Sequence, residues 1–211
     1  MEKLKATVRV VDEAQGIVQI NNVRMTFKCL WKPNIYQGKP SGRQVATFEF
    51  AEHEVEELKK LIDFATIVLK RVDSSINSPK DAVNDRFKPY IDKDGRKHLV
   101  FRTSNSEKYP SVYVDENGRV VYNPNPEIED RIFYPGCRVN VKVQLKAEMR
   151  RGVELWSNLQ AIQFAADDER IGGMSERQLS DGFAPVQREL PSSQTVKSEV
   201  DNPVSIDDLM G

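Results

Sequence analysis

The chain has 211 residues, with 31 basic and 32 acidic side chains, two cysteines and two histidines. That length fits one domain plus appendages or two small domains. No apolar run approaches the ~20 residues of a membrane span, and the opening MEKLKATVRV lacks the apolar core of a secretory signal.

The net charge of −1 hides a division: residues 171–211 hold three basic and seven acidic side chains, leaving 28 against 25 in residues 1–170. The body of the chain is therefore mildly cationic and its end acidic. Cys29 and Cys137 fall in predicted strands and read as buried free thiols, with a disulfide as the lesser alternative, and a cytoplasmic compartment fits both.

In chain order, Ala6–Val11, Gly16–Ile20 and Val23–Trp31 read as strands, the last with Val23, Met25, Phe27, Cys29 and Trp31 on one face. Residues 32–43 form a loop rich in Gly and Pro that carries Lys32, Tyr36, Lys39 and Arg43 and no acid. Gln44–Phe50 is a further strand. Glu52–Val72 has the three- and four-residue spacing of a helix (Val55, Leu58, Ile62, Ala65, Leu69, Val72), with acids at its start, bases at its end and no side-chain N-cap. This helix is expected to plug or flank a barrel. Ser78-Pro79 opens a turn or two of helix ending near Phe87. Lys88–Phe101 predicts a hairpin turning at Asp94-Gly95. Val112–Tyr122 predicts another, with a type I′ turn at Asn117-Gly118 that Pro124 and Pro126 bring to an end.

From Cys137 to Ala147 the alternation is nearly unbroken: Val139, Val141, Val143 and Leu145 point one way, Arg138, Asn140, Lys142, Gln144 and Lys146 the other. After a charged turn at 150–152, Val153–Phe164 supplies the return strand. An apolar inner face with a basic outer one suits a polyanion, and the pattern predicts a small β-barrel that binds single-stranded nucleic acid. Residues 174–211 have no sustained period and too little apolar surface to offset the ordering of the backbone, about 1–2 kcal/mol per residue. They are expected to be a disordered acidic tail. Its end combines apolar and acidic groups in the manner of a docking peptide, with Ile206, Asp207, Asp208, Leu209 and Met210 as candidate partner-binding residues.

Catalytic signatures are scarce. There is no phosphate-binding glycine loop, no H-E-x-x-H and no G-x-S-x-G, and neither His53 nor His98 has a cysteine at ligand spacing. Asp92-Lys-Asp-Gly95 begins like a calcium loop but lacks the later ligands, so a hairpin turn is the reading. Asp167, Asp168 and Glu169 read as a solvated turn rather than a magnesium site. No enzyme activity, cofactor or metal is expected.

Single-strand binders join a cationic groove to aromatic faces, because every phosphate is charged and every base stacks. The candidates are Trp31, Lys32, Tyr36, Lys39 and Arg43; Arg102, Lys108, Tyr109 and Tyr113; and Arg138, Lys142, Lys146 and Trp156. Each has a bland alternative. Trp31 shares a face with Phe27, and Trp156 with Ile162 and Phe164, so both are equally readable as core. A lone strand Lys or Arg is often only a solubilising group.

The run from Arg24 to Pro33 (RMTFKCLWKP), followed by Gly38-Lys-Pro40, a strand and a long helix, resembles the opening of the small phage single-stranded DNA-binding proteins. Tyr134-Pro-Gly136, Gly152-Val153, Leu159–Gln163 (LQAIQ) and Asp168–Gly173 (DERIGG) extend the resemblance over most of residues 20–173. It implies a mainly β protein. The architecture would be an OB-fold-like five-stranded barrel with one long helix inserted, extra hairpins and a disordered acidic C-terminal tail. The DNA-binding domain would occupy 1–173 and the docking tail 174–211. The implied role is sequence-independent protection of single-stranded DNA during phage DNA replication, recombination or repair. It would act in the cytoplasm of the infected or lysogenic host, away from any membrane, as a possible homo-oligomer. The tail would recruit replication or recombination proteins, although it lacks the terminal aromatic residue that many such tails carry. Competing readings are a strand-annealing recombination protein, a non-nucleic-acid interaction module and, least supported, a metal-dependent nuclease.

Overall fold

A computed structural model describes residues 4–32 and 34–171. Residues 172–211, and with them Ile206, Asp207, Asp208, Leu209 and Met210, lie outside the described part. The described chain is mainly β: β1 (Thr7–Asp12), β2 (Ile17–Cys29), β3 (Ile35–Tyr36), β4 (Lys39–Pro40), β5 (Arg43–Phe50), β6 (Tyr90–Ile91), β7 (Lys97–Ser106), β8 (Val112–Val114), β9 (Val120–Val121), β10 (Arg138–Met149) and β11 (Val153–Ala166). A long helix α1 (Val55–Lys70) sits between β5 and β7, and a short one, α2 (Pro126–Ile132), precedes β10.

The strands follow the order β6-β7-β5-β2-β10-β11-β8-β9, with β1 added to β2. β2 is one strand where two were expected. Asn22, at φ 53°, carries the chain through the polar pair 21–22 without ending it, and asparagine tolerates that conformation better than most residues. A register shift against β5 between Met25 and Phe27 then breaks the expected alternation. Val23 and Met25 are buried, Phe27 is 46% exposed, and Leu30 and Trp31 take over the core.

The barrel consists of β2, β5, β7, β10 and β11, and its last seam is closed mostly by side chains. The Asn105 carboxamide on β7 accepts from the Leu159 N–H (2.8 Å) and donates to the Leu159 carbonyl (2.7 Å), standing in for a strand across the gap. Ser157 Oγ donates to the Arg102 carbonyl at 2.6 Å. Residues 83–86 fill the rest. Val83 N–H donates to Val153 O, Asn84 Oδ1 accepts from Leu155 N–H, and Arg102 N–H donates to Arg86 O. Only Pro79–Asp81, capped by Ser78, is helical in this stretch, as a single 3-10 turn, shorter than predicted.

α1 packs Leu58, Leu61, Phe64, Ala65, Val68 and Leu69 inward, while Val55 and Val72 at the ends of the predicted stripe are exposed. It has no side-chain N-cap, as expected, and Glu54 compensates. This carboxylate accepts from Ala51 N–H and Ala6 N–H, each at 2.8 Å, and Glu57 accepts from Val8 N–H at 2.8 Å. One N–H of edge strand β1 and that of the residue before it are thereby satisfied, which protects the start of an edge otherwise open to pairing.

The hairpins at Asp92–Arg96 and Asp115–Arg119 share one design. In each, the leading Asp accepts two backbone N–H groups and the Gly takes positive φ (79° and 77°). Asn117 does not have positive φ, so the second turn is a type I turn closed by a left-handed glycine instead of type I′. The expected β-stop at Pro126 is the first residue of α2, capped by Asn125 Oδ1 accepting from Glu127 N–H at 3.0 Å. Among the described residues no helix is long and apolar enough to cross a membrane.

Candidate nucleic-acid interface

One open groove dominates the described surface, with a volume of about 880 Å³. Its walls come from the start of β5 (Arg43), the end of β7 with the following Tyr109, and the distal halves of β10 and β11. At its floor lies Trp156, and around that ring stand three guanidinium groups: Arg150 at 5.2 Å from the centroid, Arg43 at 5.3 Å and Arg86 at 5.9 Å. The ring quadrupole attracts each cation and holds it in place. Arg150 is paired with Glu148 at 2.9 Å. Arg43 and Arg86 have only neutral partners among the described residues, Ser104 Oγ (3.3 Å) and the Leu155 carbonyl (3.1 Å). Burial, then the neighbouring charge of Arg43, push the Arg86 pKa down against the opposing pull of Glu154. Lys146 pairs in register with Trp156 and adds a further exposed cation.

Parity placed Trp156 with Ile162 and Phe164, toward the core. The structure corrects this. The register of β10 against β11 shifts between Lys142 and Val143, leaving Gln160 as an extra residue. Leu155, Ser157 and Leu159 are buried before the bulge and Ile162 after it, so Trp156 belongs to the outer face. Tyr109, 77% exposed, supplies a free aromatic face on the same groove. Tyr36 (66% exposed) and Lys39 stand on the β3–β4 ribbon, which is tied to the groove wall by Asn34 N–H donating to the Arg43 carbonyl. Lys108 is exposed beside Tyr109, and Lys142 is exposed farther along β10.

Other expected contacts are committed elsewhere. Trp31 is 7% exposed, donates Nε1–H to the Ser111 carbonyl at 2.9 Å and packs edge-on against Tyr113 and Phe133. It is core, and Tyr113 is half-buried in the same cluster. Lys32 pairs with Asp130. Arg102 spends its guanidinium on the Lys88 carbonyl. Arg138 is the plainest correction: it is 7% exposed, with Nε bonded to Asp168 (2.7 Å) and Nη1 to Glu54 (2.9 Å) and the Asn22 carbonyl (2.8 Å), so its charge is already neutralised inside the fold. Burial alone would lower its pKa, but the two carboxylates outweigh that and raise it. Asp168, read as a solvated acid, is thus an ion-pair partner, and Asp167 accepts from the Tyr134 hydroxyl at 2.8 Å.

No family model matches the chain, and no curated protein matches it. Solved structures do. The single-stranded DNA-binding protein from bacteriophage Enc34 in complex with ssDNA superposes with a TM-score of 0.59 at 19% identity, covering 82% of this chain and 100% of that one. A second structure of the same phage protein gives 0.58 at 18%, covering 82% and 97%, and its C-terminal truncation gives 0.58 at 18%, covering 81% and 99%. The fold is that of a phage single-stranded DNA-binding protein.

On this fold, the residues that sequence reasoning missed are Arg150, Asn158 and Gln160, which line the groove, and Arg86, which lies against the Trp156 ring. Arg150 stood in a charged turn already noted, but nothing local showed which way it would face. Arg86 had no local signal at all. It reaches the Trp156 ring because residues 83–86 are bonded to the start of β11, some 70 positions later in the chain.

Proposed function

We propose that this protein binds single-stranded DNA without sequence preference, through the groove floored by Trp156. The reading rests on Arg43 and Arg86 converging on one indole without a carboxylate between them, next to the open ring of Tyr109. Such an arrangement takes phosphates at the guanidinium groups and bases on aromatic or guanidinium planes. A structural neighbour described in complex with ssDNA lends support. The groove calls for no chemistry on the strand, and the role it suits is protection of exposed strands during phage DNA replication, recombination or repair in the host cytoplasm. The acidic end of the chain, with Ile206, Asp207, Asp208, Leu209 and Met210, would recruit replication or recombination proteins to that DNA.

Fluorescence anisotropy with labelled oligo-dT and a duplex of equal length, over a salt series, tests this. The single strand should bind more tightly, with log K falling against log salt by about 0.7 per phosphate neutralised. Arg43→Ala should reduce that slope by about 0.7. Tyr109→Ala should leave the slope alone and weaken binding by about 1–3 kcal/mol, the worth of one stacked base. Equal affinity for the duplex, or a flat salt response, would refute the proposal.

A further inference from the structure

Beyond the groove, the outer face of β2, β10 and β11 carries Gln19, Asn140, Lys142, Gln144, Asn158 and Gln163, and no carboxylate projects from it between Trp156 and Gln163. A second hollow of about 170 Å³ lies on this face, lined by Gln19, Asn140, Lys142 and Gln163. It abuts the first: Gln144 and Gln160 line the groove, Lys142 and Ala161 the hollow. The bulge at Gln160 marks the border between them.

Most polar groups of the hollow are spoken for. Asn140 Nδ2 donates to Gln163 Oε1, Gln163 Nε2 to the Asp115 carbonyl, and Asn140 Oδ1 accepts from Asn22 N–H, all at 3.0 Å. This chain of amides pins the wall. Gln19 Nε2 donates to Asn21 at 2.8 Å, and its side-chain Oε1 takes no bond among the described residues. Lys142, directly opposite Gln19 in register, makes no ion pair among the described residues. The hollow thus offers one unneutralised ammonium and one hydrogen-bond acceptor on a rigid floor. Lys142 lies four residues along β10 from Lys146, about 13 Å of strand.

We infer that a single strand held in the Trp156 groove continues along β10 to a second subsite, where Lys142 takes a backbone phosphate and Gln19 faces the adjoining nucleotide. The inference rests on the proposed function. It adds a path along the β10–β11 pair, so that long strands engage a contact that short ones cannot reach.

Lys142→Ala is the test, since the side chain is exposed and supports no packing. Anisotropy with an oligo-dT ladder, from about five to about 25 nucleotides, should give wild-type affinity for the shortest strands. It should give weakened binding of the long ones, with a salt slope lower by about 0.7. Coincident wild-type and K142A affinities at every length, with R43A weakening them all, would remove the second subsite and leave the groove standing. Equal weakening at every length would place Lys142 in the first groove and also overturn the inference. No binding by the wild type at any length would overturn both readings.

Discussion

Arg138 shows how much a single side chain depends on where its strand lies. By alternation it is one more cation on a polar face; in the barrel it bridges Glu54, at the head of α1, to Asp168, beyond β11. Glu54 is fully buried, and removing its partner leaves a charge without solvent or counter-ion. Arg138→Ala should therefore destabilise the fold by roughly 3–5 kcal/mol, read from urea denaturation. The salt slope of DNA binding by the remaining folded protein should not change. A reduced slope would return Arg138 to the phosphate contacts. The same reasoning separates the two tryptophans: Trp31 has its indole N–H satisfied inside a cluster of rings, whereas Trp156 is half-buried among arginines, its indole N–H without a partner among the described residues.

Among the elements, the β6–β7 hairpin is fastened to β5 by a titratable residue. His98 stacks on Tyr90 with the rings 4.4 Å apart and 3° from parallel. One ring nitrogen contacts Glu49 and the other lies 3.0 Å from Asp92, with Arg24 also pairing with Glu49 at 3.6 Å. The bonds to Asp92 and then Glu49 raise the His98 pKa above its ordinary value. A raised folded value means that protonation favours folding. The contribution is fully present below the unfolded value of about 6.5 and fades as pH rises through the raised one. His98→Gln should thus lower the urea midpoint clearly near about pH 6, with the deficit shrinking by about pH 9. A deficit independent of pH would show that packing, and no charge, is what His98 contributes. Elements also account for the misjudged turn and helix. Asp115 organises its hairpin through two backbone N–H groups, and Pro126 starts a helix because Asn125 stands ready to cap it. Either proline reading is locally sound, and only the residues around it choose.

Over the whole molecule, the groove exists because the barrel seam between β7 and β11 is bridged by residues far apart in the chain: Asn105 with Leu159, Ser157 with Arg102, Arg86 with Leu155. The charge division of the chain gives this surface a competitor. Residues 171–211 carry a balance of −4 against +3 for the rest, so at low salt the acidic end should compete for the cations that hold DNA. Deleting residues 201–211, which contain three of the seven acids, should tighten oligo-dT binding at low salt and lose the advantage as salt rises. Unchanged low-salt affinity would contradict this.

Alternation, helical spacing and Asp-x-x-Gly turns are local properties, and from them the long strands, α1 and both hairpins were legible in the residues alone, whereas the short β3–β4 ribbon and α2 were not. So was the acidic end of the chain as a compositional fact, and so were Arg43, Tyr109 and Lys146 as groove candidates. What no local pattern carried was the sign of a face. One extra residue at Gln160 turns Trp156 from core to groove, and one register shift after Met25 turns Phe27 from core to surface. A period of two holds only within an unbroken ladder, and a bulge is a property of the pair of strands rather than of either one. Tertiary contact likewise decided which cations are free. A guanidinium reads the same in sequence whether a buried carboxylate awaits it, as at Arg138, or an indole and a backbone carbonyl, as at Arg86.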